Sequence, residues 1–156
     1  RRVRLIGEVP TMRFLRAALA MLLLLCLLLP AQAQEAELRP FARGLGIVDV
    51  TGFIDAVTSI RKSGRLPARF ATKEEANRLG WRPGDDLCDV ARGRTIGGNR
   101  FGNRERRLPD RKGRRYYEAD LDFSCGKRGA KRLVWSDDGL MYVTIDHYQS
   151  FQAVPK

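Results

Sequence analysis

The chain has 156 residues, with 29 Lys and Arg against 18 Asp and Glu, one His, three Cys and a net charge of +11. That length supports one small domain, because a compact domain usually takes ~100–150 residues, and 44% apolar with 30% charged residues excludes global disorder. A single His excludes His-rich metal sites and any mechanism that needs two imidazoles. The excess of base makes polyanions the leading class of partner: RNA, DNA or an anionic membrane surface.

The first 33 residues are expected to be an address and not part of the fold. Residues 1–11 precede Met12 and read as upstream read-through. Met12-Arg13-Phe14-Leu15-Arg16 opens a positive stretch, and an apolar run from Ala17 to Leu29 ends at Pro30. Ala31-Gln32-Ala33 then supplies the small-x-small pattern of a signal-peptidase site. The run has 13 residues, too few for a stable anchor across ~30 Å of hydrocarbon, which needs ~20. Leu25 precedes Cys26, which argues against lipoprotein processing. The expectation is a secreted protein without stable membrane association.

The mature chain then carries 24 basic and 17 acidic residues. Residues 92–132 alone hold 14 Lys and Arg against 5 Asp and Glu, so the base is concentrated in one segment. Cys88 and Cys125 remain as an even pair in an oxidising compartment, which favours a disulfide over a zinc site or a nucleophilic thiol.

In chain order, residues 34–50 mix Pro40, Gly44, Gly46 and charges without sustained periodicity and read as a flexible leader or pro-segment, with the folded domain over 51–156. Val50, Phe53, Ile54, Val57 and Ile60 then predict a helix that ends near Gly64 and Pro67. Thr72-Lys73-Glu74-Glu75 has the capping-box pattern of a second, short helix that stops at Gly80. Pro83-Gly84 begins a loop before Leu87 and Val90. From Thr95 the period becomes two: Tyr117, Ala119, Leu121 and Phe123 alternate with Tyr116, Glu118, Asp120 and Asp122. Leu133–Ser136 and Leu140–Ile145 flank Asp137-Asp138-Gly139, a hairpin turn. Helices followed by strands imply an α+β fold, N-terminal helices packed on a twisted antiparallel β-sheet.

Taken one at a time, the chemical candidates are weak. His147, in Asp146-His147-Tyr148, fits a surface histidine, and Glu118, with Arg114, Arg115, Arg128 and Arg132 nearby in sequence, fits an ion pair. Together, one carboxylate, one imidazole and many cations are what metal-free cleavage of an RNA phosphodiester needs when the ribose 2′-OH is the nucleophile.

At these residues the sequence resembles a known family. Ile96-Gly97-Gly98-Asn99-Arg100-Phe101-Gly102-Asn103-Arg104-Glu105, then Tyr117-Glu118-Ala119-Asp120, then Asp146-His147-Tyr148-Gln149-Ser150-Phe151 are similar to the bacterial guanyl-preferring ribonucleases of the barnase and binase type, and Leu66-Pro67 and Leu79-Gly80-Trp81 fall in matching order. The likeness runs from about Phe53 to Gln152. It implies a secreted endoribonuclease that cuts single-stranded RNA after guanosine without a cofactor. Glu118 would be the general base and His147 the general acid, giving a 2′,3′-cyclic phosphate that is slowly hydrolysed. Arg128 and Arg132 match the family's phosphate-holding arginines and Lys73 its electrostatic lysine. Tyr148 would support the base or the phosphate.

The loop from Phe101 to Glu105 would read guanine, with Glu105 accepting the N1 and N2 donors, the amides of Asn103 and Arg104 meeting O6, and an aromatic or Arg plane stacking on the base. Gly102, where the family commonly has Ser, is expected to free that backbone to turn. The resemblance also implies a monomer countered by a small acidic inhibitor of the barstar kind. Two departures stand out: the Cys88/Cys125 pair, unusual for the best-known members, and Gly139 in place of an aromatic. The competing reading is a non-enzymatic basic module that binds RNA or other polyanions. A metal-dependent nuclease would have to use Glu118, Asp120 and Asp122, for which the sequence offers no matching ligand cluster elsewhere.

Overall fold

The computed structural model describes residues 35–123 and 125–156; the expected export signal lies outside them. Residues 35–44 form a helix, α1, followed by α2 (Val50–Ser63), β1 (Phe70–Ala71), α3 (Lys73–Arg78), α4 (Cys88–Ala91), β2 (Thr95–Phe101), β3 (Tyr116–Asp120), β4 (Arg132–Ser136), β5 (Met141–Thr144) and β6 (Gln152–Ala153). Among the described residues no helix is long and apolar enough to cross a membrane.

The first helix corrects the flexible leader expected over residues 34–50. Leu38, Ala42 and Ile47 are buried in the main core, and Leu38–Lys156 form one compact unit. Leu38, Ala42 and Leu45 recur at i, i+4 and i+7, so one face of α1 has apolar surface to bury despite the glycines that follow.

α2 forms where the apolar spacing predicts. Asp49 caps it by accepting a hydrogen bond from the Gly52 amide at 2.8 Å, and Gly64 ends it in the left-handed region at φ 71°. Gly52 is required by space: a Cβ there would lie 2.0 Å from the Asp49 carboxylate and 2.4 Å from the Arg69 guanidinium. The chain leading into α2 is pinned by Asp122, whose carboxylate accepts from the amides of Val48 and Asp49.

Six strands lie in the order β1-β2-β3-β4-β5-β6, antiparallel throughout apart from the parallel β1–β2 pair. The fold is α+β, as expected. Strand alternation divides the side chains between two faces. Ala119, Leu133, Trp135, Met141 and Val143 pack against Phe53, Ile54, Val57 and Ile60 of α2 in the main core. On the other face Tyr116 and Val134 join Leu108 beneath Phe101, Tyr142 and Phe151. A separate cluster of Ala76, Trp81, Leu87, Ala91 and Ile96 secures the two short helices. The predicted hairpin turn closes through Ser136, whose amide donates to the Leu140 carbonyl at 2.9 Å, with Gly139 at φ 94°.

Candidate active site

The face of the sheet away from α2 carries the polar rows. Register places Asn99 beside Glu118, Glu118 beside Val134, and Val134 beside Tyr142. The next row runs Asp120, Arg132, Thr144. Glu118 is only 6% exposed, and a carboxylate so buried needs partners for its charge. It has two. The Lys73 ammonium lies 3.3 Å from Oε1, and the Tyr148 hydroxyl donates to Oε2 at 2.7 Å. The Arg pairing that neighbouring sequence suggested for Glu118 is thus replaced by Lys73.

Lys73 reaches this place because the capping box forms as the sequence predicts. The Glu75 amide donates to the Thr72 hydroxyl at 3.1 Å, the Thr72 amide donates to Glu75 Oε2 at 2.7 Å, and the Lys73 amide donates to Asn99 Oδ1 at 3.0 Å. The start of α3 is therefore fixed to β2 beside the site. The backbone bonds to Thr72 also hold the Glu75 carboxyl below its usual value.

The other end of Glu118 meets a strained turn. His147 and Tyr148 both have positive φ, 56° and 72°, a rare conformation for side chains of this size. Asp146 holds the turn by accepting from the Thr144 hydroxyl at 2.9 Å, from the Ser150 amide at 2.9 Å and from the Ser150 hydroxyl. These bonds, those from Ser150 foremost, lower the Asp146 carboxyl to about 2. The Tyr148 amide donates to Thr144 Oγ1 at 2.9 Å. The His147 ring is exposed and lies 5.0 Å from the Tyr148 ring. Tyr148 is thus the physical link between the candidate acid and the candidate base. Burial and its bond to Glu118 push its phenol up to about 12, so it remains a neutral donor through the working pH range.

Arg128 and Arg132 converge on Asp120. Arg128 donates through Nε and Nη2 at 2.6 Å each, a bidentate pair that raises its guanidinium above the ordinary value. Arg132 Nε lies 2.9 Å from Asp120 Oδ1 at an angle too oblique for a hydrogen bond, while Nη1 donates to the carbonyls of Gly129 and Lys131. The Arg132 guanidinium also lies 5.9 Å from the Tyr148 ring. One buried carboxylate therefore positions two cations beside Glu118.

The Phe101–Glu105 segment lines a cleft of about 870 Å³ that also touches Arg107, Tyr148 and Phe151. Phe101 stacks on Tyr148 at 5.3 Å, which joins the cleft to the turn bearing His147. Asn103 spends its side chain on the loop itself: Nδ2 donates to the Leu108 carbonyl at 2.9 Å and Oδ1 accepts from the Leu108 amide at 3.1 Å. The expected role of Gly102 needs correction. The left-handed turns fall on Asn103 and Arg106, at φ 41° and 50°, and a Cβ at Gly102 would meet nothing closer than Arg104 Cγ at 3.4 Å. A serine would therefore fit there after a small shift of the Arg104 side chain. A wider cleft of about 1080 Å³ lies on the helix side, between Ile60, Leu66, Tyr117, Trp135 and Met141, away from Glu118 and His147.

The three carboxylates of the metal reading do not converge. Glu118 faces Lys73 and Tyr148, Asp120 faces the two arginines, and Asp122 pairs with Lys131 at 2.7 Å beside the start of α2. Cys88 and Cys125 form the expected disulfide, with Cα atoms 5.3 Å apart. It joins α4 to the β3–β4 connection that carries Arg128. Asp86 adds a second tie there by accepting from the amides of Cys88 and Gly126, which lowers its carboxyl.

The family profile described as ribonuclease matches residues 55–155, most of the chain and the whole of this site. The chain is a member of the ribonuclease family. It is 47% identical over 91 residues to the ribonuclease of Heyndrickxia coagulans, covering 58% of this chain and 84% of that protein. The ribonucleases of Bacillus intermedius and Bacillus pumilus are also 47% identical over 91 residues, and there the match spans 56% of each relative. Around this candidate site the structure brings in several residues that the motifs alone did not single out for these tasks: Asp120, Asn99, Asp146 and Arg107. Asp120 had a signal, since it lies two positions after Glu118 on the same strand face.

Proposed function

We propose that this ribonuclease is a metal-free endoribonuclease that cuts single-stranded RNA on the 3′ side of guanosine. The observation that carries the reading is the buried Glu118 carboxylate held between Lys73 and Tyr148, whose neighbour His147 is exposed at the same turn. Glu118 takes the proton from the ribose 2′-OH as the 2′-oxygen bonds to phosphorus, and His147 gives a proton to the 5′-oxygen as the P–O5′ bond breaks. The products are a 2′,3′-cyclic phosphate and a free 5′-OH. Hydrolysis of the cyclic ester reverses the roles: His147 takes a proton from water and Glu118 returns one to the 2′-oxygen. Lys73, Arg128 and Arg132 offset the charge that gathers on the phosphorus oxygens. Glu105 supplies the two acceptors that guanine N1 and N2 require, and Phe101 the stacking surface.

The mature protein acts as an exported monomer, and the oxidised cysteine pair suits that destination. Its cationic cleft fits an acidic inhibitor protein in the producing cell.

The test uses the chain from Gln34 in excess EDTA, with GpA and ApA as separate substrates and cyclic phosphate as the readout. Preferential cleavage of GpA is expected, undiminished by the chelator and lost in Glu118→Ala and His147→Ala. Retained RNA binding with neither dinucleotide cut would leave a basic binding module in place of the enzyme.

A further inference from the structure

Between the base-reading loop and the catalytic turn lies a side chain without a role in the reaction as described. Arg107 Nε donates to Glu105 Oε2 at 2.6 Å, and its Nη1 donates to the carbonyl of Gln149, two residues beyond His147. The turn over Asn103–Arg106, closed by the Arg106 amide on the Asn103 carbonyl at 2.9 Å, brings Glu105 and Arg107 together. Asn103 then fixes the following residue, Leu108, through both atoms of its amide.

We propose that Arg107 is a specificity-determining positioning residue, which orients the Glu105 carboxylate towards the guanine N1 and N2 donors and ties that loop to the turn bearing His147 and Tyr148. The inference rests on Glu105 as the guanine ligand. The Glu105 and Arg107 side chains are 73% and 45% exposed, and a lone pair in that setting contributes little. Here the guanidinium fork is held at both ends, by a carboxylate and by a backbone carbonyl, so Glu105 loses its rotation about the side chain. An ionised carboxylate has about four lone-pair sites. One hydrogen bond from Arg107 to Oε2 leaves Oε1 and the second side of Oε2 for the two guanine donors. Guanine recognition and the placement of the acid then share one brace.

The test measures kcat and KM for GpA and ApA with the wild type, Arg107→Ala, Arg107→Lys, Glu105→Gln and the Glu105→Gln/Arg107→Ala pair. Arg107→Ala is expected to lower the GpA/ApA ratio of kcat/KM roughly tenfold, the scale of one well-made hydrogen bond, chiefly through KM for GpA. Arg107→Lys, which keeps the charge but loses the planar fork, is expected to fall between. In the Glu105→Gln background the alanine substitution should change the ratio little, because the group it orients has lost its charge. A ratio that stays at the wild-type value in Arg107→Ala overturns the proposal. So does an equal loss on both dinucleotides in Arg107→Ala and Arg107→Lys when each keeps the wild-type melting temperature. A wild type with no preference for GpA removes the guanine reading itself, and this proposal with it.

Discussion

Asp146 shows how one carboxylate can hold together the turn that carries His147 and Tyr148. Its carboxyl, ordinarily 3.8, stands at about 2 in the folded chain. A depressed carboxyl contributes stability that is present above its unfolded value and lost as the pH falls through its folded one. We therefore expect Asp146→Ala to melt below the wild type from pH 7 down to about pH 4, with the gap closing towards pH 2. A gap independent of pH down to 2 would mean that the hydrogen bonds to Thr144 and Ser150 do not depend on the charge. The residues expected to touch substrate were legible in the sequence, because Glu118 and His147 sit in short runs whose order is characteristic. Asp146 and Asp120 were not assigned their supporting tasks, for a physical reason. Such a task depends on which hydrogen bonds a side chain receives, and an Asp in Asp146-His147 or Ala119-Asp120 carries no sign of its donors. Arg107 lay hidden among the basic residues of its segment, where composition cannot separate a brace from a solvated charge.

At the scale of elements, the strongly patterned parts were readable and the weakly patterned ones were not. The five-residue apolar stripe of α2, the capping box of α3 and the Asp137-Asp138-Gly139 turn all form where expected. α1 escaped because Pro40, Gly44 and Gly46 mask a repeat of only three apolar positions, and its burial depends on α2 and the sheet as partners. The cysteines also matter at this scale, since they join α4 to the connection that bears Arg128. Their sequence separation is 37 residues, and the chain-entropy argument assigns a closed loop of that size about 4 kcal/mol. Replacing both with Ser should reduce the unfolding free energy in urea by about that amount. A reduction below about 1 kcal/mol would mean that residual structure in the unfolded ensemble already keeps the two loops near each other.

For the whole molecule, charge is the dominant property beyond the fold. The segment 92–132, with 14 basic residues against 5 acidic, supplies β2, its following loop, β3 and the arginines around Asp120, and Arg100, Arg104, Arg106, Arg107 and Arg114 of it line the cleft that adjoins Tyr148. Long single-stranded RNA should therefore lose cleavage efficiency with salt more steeply than GpA does, by roughly −0.7 in log–log slope for each further phosphate contacted. Equal slopes for the two substrates would confine contact to the scissile phosphate. The sheet has one further property, set by its outermost members. β1 and β6 contain two residues each, and the longer strands β2 to β5 lie between them. A sheet bordered this way offers a neighbouring copy almost no free ladder to extend. The folded molecule can thus be concentrated with little edge for a neighbouring copy to pair with, whereas opening at either margin would uncover the longer ladders of β2 and β5.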